Sequence, residues 1–460
     1  MANEVTKLNG IAIGSITNVN GITDANLSKI NGQEFTGSVA EAAVTAYTEI
    51  TAASGTSTGA SMTYDEDNDF VYVQYPRNGG GGAAIVGSFN STDSDIDFGT
   101  QQTIESANAF SGPSCDYDKY NNRVWTAWIG GGDNTIYARC GTIASDKSIS
   151  WGTRFTIQNG YNTYSRYNQG LLYQGLAVDQ STGKCLVVWN NANDTIGGNA
   201  SNHHPNAVIL TVDTSDNSIT ASSHVRVATG GSGQQFPMIK CHYDPDNQEW
   251  VAITDADGSS TGIYALRITD SSGNPAAANQ TQLGSNSSHF LQGDGSSSHN
   301  ATKGVTGGRY GGQQMVYDTN VDRFIIGSAT ADGTTPKVFA FENTGSGITW
   351  DTGGLAVSHG TTISSSGKGG AIAFSHARNK FASHGSTGSA INMEIMSYDG
   401  TNFTSHNSGS LYTVVSDDDG LFRSTGSMQD MSAFAGGGIM FVGTEYDSND
   451  PYYFIYEVGT

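Results

Sequence analysis

One unit of about 60 residues recurs along most of this chain. It opens on an apolar run that ends in Tyr-Asp or a relative. A polar turn follows, then a β-rich run, a Gly/Asn/Asp loop, a second β-rich run, another polar turn and a short last strand. The opening pairs are Tyr64-Asp65, Tyr117-Asp118, Val178-Asp179, Tyr243-Asp244 and Tyr317-Asp318, with weaker copies at Phe374-Ser375 and Ala433-Phe434. They are spaced 53, 61, 65, 74, 57 and about 60 residues apart. A repeat of this length, tolerant of insertions, is the signature of stacked supersecondary units around an axis.

The strands inside the unit align. Second strands are expected at 70–75, 124–129, 185–189, 250–254, 324–328, 381–384 and 439–444, and third strands at 84–89, 136–140, 208–212, 263–268, 338–341, 391–396 and 452–456. Both sets are dense in the β-branched and aromatic residues that fill sheet-to-sheet space. Fourth strands are found for six units only, at 99–104, 152–157, 224–227, 281–283, 354–357 and 411–414. The seventh unit reaches Thr460 after three strands, and residues 46–50 (Ala-Tyr-Thr-Glu-Ile) can supply the fourth. Such a closure removes an open sheet edge. The expectation is an all-β, seven-bladed β-propeller closed by an N-terminal strand, over 45–460, preceded by an extended arm over 1–44. Two β-sandwiches would not account for seven like units.

Composition agrees. There are 60 Gly and only 8 Pro, and the few helix-like stretches are short, such as 38–46. The net charge is −22 with 21 Lys+Arg against 43 Asp+Glu. No basic stripe tracks a phosphate backbone, so nucleic acid and anionic membranes are not expected partners. Cys115, Cys140, Cys185 and Cys241 each fall in an apolar run, as buried free thiols do. No signal-peptide pattern and no apolar run long enough for a membrane helix is seen.

The arm carries its own repeat. Lys7-Leu8-Asn9-Gly10, Asn18-Val19-Asn20-Gly21 and Lys29-Ile30-Asn31-Gly32 recur every 11 residues. Asn-Gly favours tight turns with positive φ. The apolar positions Leu8, Ile11, Ile13, Ile16, Val19, Ile22, Leu27 and Ile30 are the expected anchoring residues, because three short rungs cannot bury a core alone. This Lys-Ile/Leu-Asn-Gly start resembles the N-termini of structural proteins of tailed bacteriophages, marine and cyanobacterial ones in particular, over about 35 of 460 residues. The resemblance implies a virion component of a tail, fibre or capsid surface, assembled in the host cytoplasm. It also implies that residues 1–37 contact other virion proteins, with a homo-oligomer, a trimer by analogy with fibres, as a further expectation.

Catalytic signals are weak. An echo of the sialidase Asp box lies between third and fourth strands, at Ser91-Thr92-Asp93, Asp146 to Trp151, Asp216 to Thr220 and Gly347 to Trp350. In families that carry it, that box is a structural turn. A sialidase-like site needs three arginines and a Tyr–Glu nucleophile pair, and no such set assembles from the residues. No enzymatic activity, cofactor or metal is expected, and a glycan-cleaving propeller is the alternative. His203-His204 reads as part of a solvated loop. The turn Asp65 to Asp69 reads as a tight hairpin, because it lacks the Gly and distal Glu of a calcium loop. Gly79 to Gly82 lacks the Lys and helix of a phosphate loop.

Connection lengths divide the ring into two faces. Long connections, at 76–83, 158–174, 190–206, 284–314 and 416–427, all fall on one; the other has tight turns. Long loops on a rigid scaffold carry recognition. Tyr161, Tyr164, Tyr167 and Tyr173, set among Asn, Ser and Gly, are the candidate ligand residues for a surface partner or host glycan. If 46–50 is a fourth strand, the arm leaves from the tight-turn face. A protein that only decorates a capsid is a further alternative.

Overall fold

A computed structural model describes residues 7–8, 11–12, 18–19, 22–23, 29–30, 33–34, 42–43, 48–50, 60–77, 80–106, 110–130, 135–159, 175–191, 204–228, 239–256, 262–285, 315–329, 336–351, 355–356, 368–376, 378–386, 390–406, 412–416, 422–431, 438–445 and 451–457. Their regular structure is all strand, and among them no helix is long and apolar enough to cross a membrane.

The repeat unit is an antiparallel meander. In the first sheet Ser61–Asp65 pairs with Phe70–Pro76, which pairs with Gly82–Asn90, which pairs with Asp95–Phe98. Among the described residues, five further sheets follow this plan, over 110–158, 176–226, 239–285, 315–356 and 368–416, and 422–457 supplies three strands of another. The first strand of each sheet lies beside the first strand of the next, and Phe422–Met431 lies beside Ser61–Asp65. This is the arrangement of a β-propeller, with first strands innermost.

The core sits between sheets rather than within one. Side chains alternate along each strand, so one set faces the preceding sheet and the other the following sheet. Trp125, Cys185, Trp189 and Leu210 pack between the second and third sheets. Tyr72, Trp128 and Tyr137 pack between the first and second. Met62, Val73 and Ile85 of the first sheet pack against Tyr453 and Ile455 of the last. Trp125, Trp128, Trp189 and Trp250 are fully buried. Each such side chain contributes about 2–3 kcal/mol by area removed from water.

The outer strand departs from expectation. Its expected positions at 99–104 and 152–157 are the second halves of split strands. In the first sheet, Asp95–Phe98 pairs one end of Gly82–Asn90 and Gln102–Glu105 pairs the other. In the second, Ile149–Trp151 and Phe155–Gln158 do the same. The sequence between third and fourth strands that echoes an Asp box therefore includes a strand as well as a turn. In the fourth sheet Asn274–Ser285 runs through with two register shifts, much longer than the expected 281–283. Bulges let the outermost strand follow the strong twist at the rim.

Other expectations are also corrected. The last sheet opens on Phe422–Met431, so part of the expected loop 416–427 belongs to a strand, and the weaker copy at Ala433-Phe434 lies outside the described residues. The expected loops 76–83, 190–206 and 284–314 shorten, because Pro76, Gly82 and Ala83, Asn190 and Asn191, His204 to Asn206, and Gly284 and Ser285 extend the hairpin ladders. His204 is buried in a strand rather than solvated. The helix-like stretch 38–46 contains the strand Ala42–Ala43. The four cysteines are free, and all but the half-buried Cys115 are buried.

The N-terminal segment pairs with the last strand in two pieces. Ala42–Ala43 pairs at Glu457 and Tyr456, and Thr48–Glu49 pairs at Tyr453 and Tyr452. The expected single run over 46–50 is thus the second half of a split strand, like the outer strands elsewhere. Pairing begins inside the segment expected to be arm.

Candidate functional site

The two ends of the ring are built differently. At one end, the first strands of the first five sheets turn tightly into the second. The repeated Asp sits at the start of this turn and is buried at positions 65, 118, 179, 244 and 318. Its carboxylate caps the turn. Asp65 Oδ1 accepts from the amides of Asp67 and Asn68 at 3.0 and 3.1 Å. Asp118 accepts from Asn121, Asp179 from Ser181, Asp244 from Asp246 and Asn247, and Asp318 from Asn320. Short acceptors of this kind suit turns because they satisfy backbone donors locally. The last turn residue takes positive φ: Asp69, Asn122, Gly183, Gln248, Asp322 and Asn379. Asn, Asp and Gly tolerate that region best.

The tyrosine before the Asp ties neighbouring turns together. Tyr117 donates to Asp67 of the preceding sheet and to Asn122 of its own turn, both at 3.0 Å. Tyr317 donates to Asp246 at 2.8 Å and to Asp322. At the seam between the fourth and fifth sheets, Asn343 donates to Asp244 and Glu249, and Arg267 clamps Glu249 with two bonds at 2.7 and 2.8 Å. Tyr453 of the last sheet donates to Asp95 of the first.

Burial pushes the Tyr117 and Tyr317 phenols well above their ordinary value, and the carboxylates they bond push in the same direction. These hydroxyls stay protonated and donate. A Tyr–carboxylate nucleophile needs the reverse, a phenol made easier to ionise. The tyrosine–carboxylate couples on this face are therefore braces. Among the described residues no group of three or more His, Cys, Asp or Glu is placed to hold a metal ion.

At the opposite end, the strands flank 160–174, 192–203 and 286–314, which lie outside the described residues. Tyr161, Tyr164, Tyr167 and Tyr173, the candidate ligand residues, lie outside the described residues. In the arm, the Asn-Gly repeats separate paired strands: Leu8 faces Ile11, Val19 faces Ile22 and Ile30 faces Gln33. Each register leaves two residues between the strands, Asn9-Gly10, Asn20-Gly21 and Asn31-Gly32, the spacing of a two-residue hairpin. Leu8, Ile11, Val19, Ile22 and Ile30 thus fall in three like hairpins. Ile13, Ile16 and Leu27 lie outside the described residues.

Sequence reasoning read the Tyr-Asp pair as a marker of the repeat and missed its role as an inter-sheet brace. The signal was present in the next turn residues, Asp67 and Asp246, but the partner lies one whole unit away.

No family model matches the chain, and no curated protein matches it. Solved structures do. A candidate 6-phosphogluconolactonase from Bacteroides fragilis is 10% identical, with a TM-score of 0.50, over 78% of this chain and 84% of that one. The Swd1 β-propeller domain from Myceliophteria thermophila is 8% identical, with a TM-score of 0.49, over 91% and 100%. An α-L-arabinanase from Penicillium chrysogenum, complexed with arabinobiose, is 9% identical, with a TM-score of 0.46, over 91% and 98%. At 10% identity the likeness to the first of these is one of fold alone.

Proposed function

We propose that this chain is a non-enzymatic structural protein of a tailed-bacteriophage virion, anchored by its arm and presenting a propeller for surface or host-glycan binding. In this reading the ring has seven blades and is closed by the split N-terminal strand, which makes the arm continuous with the scaffold it anchors.

The observation that carries the proposal is the direction of that strand. Third strands run from the long-connection face to the tight-turn face. Glu457 ends the last of them and pairs with Ala42, while Tyr452 near its start pairs with Glu49. The arm therefore joins the ring at the tight-turn face, and the long connections lie at the opposite end. Three hairpins with so few paired residues are marginal alone. Packing on other virion proteins supplies what they lack, and the resemblance of the arm to phage structural proteins points the same way.

Mass spectrometry of gradient-purified virions, with a reconstruction of the particle, tests this. The expected result is the chain present in stoichiometric amount, with 1–37 at the particle and the long connections outward. Its absence from particles, or residues 1–37 on the long-connection side, overturns the reading. Depolymerisation of host polysaccharide by the purified protein would replace it with an enzymatic one.

A further inference from the structure

We propose that the seam between the first and second sheets holds an oxyanion site that takes the carboxylate or sulfate of an acidic sugar. The sugar rests on the host-glycan reading above. The oxyanion chemistry rests on the residues alone.

Three arginines surround one step of the outer strand, Ile104-Glu105. Arg139 Nη1 donates to the Ile104 carbonyl at 2.6 Å. Arg77 Nη2 donates to the Glu105 carbonyl at 3.5 Å. Arg154 Nη1 donates to Glu105 Oε2 at 2.5 Å. The other carboxylate oxygen of Glu105 accepts from the Ser106 amide at 2.9 Å. Of the three, Arg154 alone bonds the buried Glu105 carboxylate, while Arg77 and Arg139 are held on the backbone carbonyls beside it, in a chain whose acids outnumber its bases 43 to 21.

The donors are not used up. Nε of Arg77 and Nε of Arg139 are buried and find no acceptor among the described residues. Arg154 is braced with its guanidinium 4.2 Å from the Tyr137 ring centroid, and its side chain is 38% exposed. Burial holds the Arg139 guanidinium below its ordinary value against the pull of Glu105, and Arg154 adds to the lowering. A second anion at this seam would relieve both. Guanidinium forks match planar oxyanions with paired, charge-assisted bonds.

The backbone also fits. Gly81 has φ +86°, and a Cβ there would stand 2.4 Å from the Glu105 carbonyl oxygen and 3.0 Å from Arg77 Nη2. Only glycine lets this turn come so close. Glu105 pairs with Gly82 beside the hairpin connection, so the cluster lies toward the long-connection end of the first sheet. Glu105 is engaged by Arg154 and Ser106, which suits holding a ligand rather than cleaving it.

Calorimetric titration of the full chain at low salt tests the site, with glucuronate, galactose 6-sulfate, inorganic sulfate and neutral galactose as probes. Both charged sugars are expected to bind, with affinity that falls as salt rises, and galactose is not. Arg139→Gln and Arg154→Gln should each weaken binding about tenfold, and Lys119→Gln on the tight-turn face should leave it unchanged. Arg154→Lys keeps charge at a part-exposed position and should give an intermediate loss even if Arg139→Gln fails to fold. No binding by either charged sugar, equal binding of galactose, or wild-type affinity in Arg154→Gln overturns the proposal. Inorganic sulfate binding as tightly as both sugars overturns the sugar half of it. Chain present in virions with no such binding sinks this site alone, while chain absent from virions sinks the functional reading whatever the titration shows.

Discussion

The Tyr117 hydroxyl donates to Asp67 Oδ2 at 3.0 Å, across the seam between the first two sheets and over 50 positions of sequence. It also holds Asn122, the positive-φ residue of its own turn. Tyr117→Phe removes both bonds and leaves their acceptors. The expected cost is about 1–2 kcal/mol. Tyr64→Phe removes an exposed bond to Asp69 within one turn and should cost less. Urea denaturation of the two variants checks the difference, and equal midpoints would refute the bracing role.

Asp244 joins its own turn to the next sheet. It accepts from the amides of Asp246 and Asn247, from Asn247 Nδ2 at 3.0 Å and from Asn343 Nδ2 at 2.7 Å. Asp244→Ala strands these donors and should destabilise the fold by about 2–4 kcal/mol. Asp244→Asn keeps one acceptor oxygen and should recover part of the loss. Alanine and asparagine variants of equal stability would show that the carboxylate oxygens are not what holds the turn.

Lys240 is fully buried on a first strand, and burial pushes its amine down to about 7. In the unfolded chain a lysine titrates at about 10.4. Between those values the unfolded chain binds the extra proton, so stability rises with pH across about 7 to 10 and this contribution is lost as pH falls to 7. Lys240→Met should remove that slope. Denaturation midpoints of both proteins at several pH values in this window give the result, and parallel curves would refute it.

The split N-terminal strand predicts a sharp boundary for truncation. A chain starting at residue 42 keeps the pairing with Tyr452, Tyr453, Tyr456 and Glu457. Its melting temperature should lie within about 2 °C of the full chain. A chain starting at residue 51 exposes the last strand as an open edge and should melt earlier and aggregate. Light scattering during a thermal ramp separates them.

Gly152 sets the bulge of the second outer strand against the third sheet. A Cβ there would meet the Asn217 carbonyl oxygen at 2.0 Å. Backbone cannot yield cheaply, so Gly152→Ala should cost about 2 kcal/mol or more by overpacking. A thermal midpoint equal to wild type would refute that contact.

Much of the architecture was legible along the chain, for a local reason. Tyr-Asp at the end of a first strand, a turn residue suited to positive φ and a β-branched run after it are neighbours in sequence, so strand alternation and turn chemistry reveal them together. The second and third strands fell where Val, Ile, Trp and Phe cluster. The hairpins at Leu8 and Ile11, and at Val19 and Ile22, follow from Asn-Gly between apolar residues. The outer strands differ from expectation because a bulged edge strand has weak alternation, and Phe422–Met431 was not legible as a strand because it lacks the Tyr-Asp mark.

Tertiary structure alone decided which residues meet across seams. Tyr117 reaches Asp67, Tyr453 reaches Asp95, and Arg139 and Arg154 converge near Glu105, because sheets stack around an axis and bring corresponding positions of successive units into contact. Sequence spacing reports periodicity along the chain, and side-chain direction within a sheet follows from it. The angle and register at which one sheet meets the next come from close packing of side chains such as Trp125, Trp128 and Trp189, and that is a property of the folded volume.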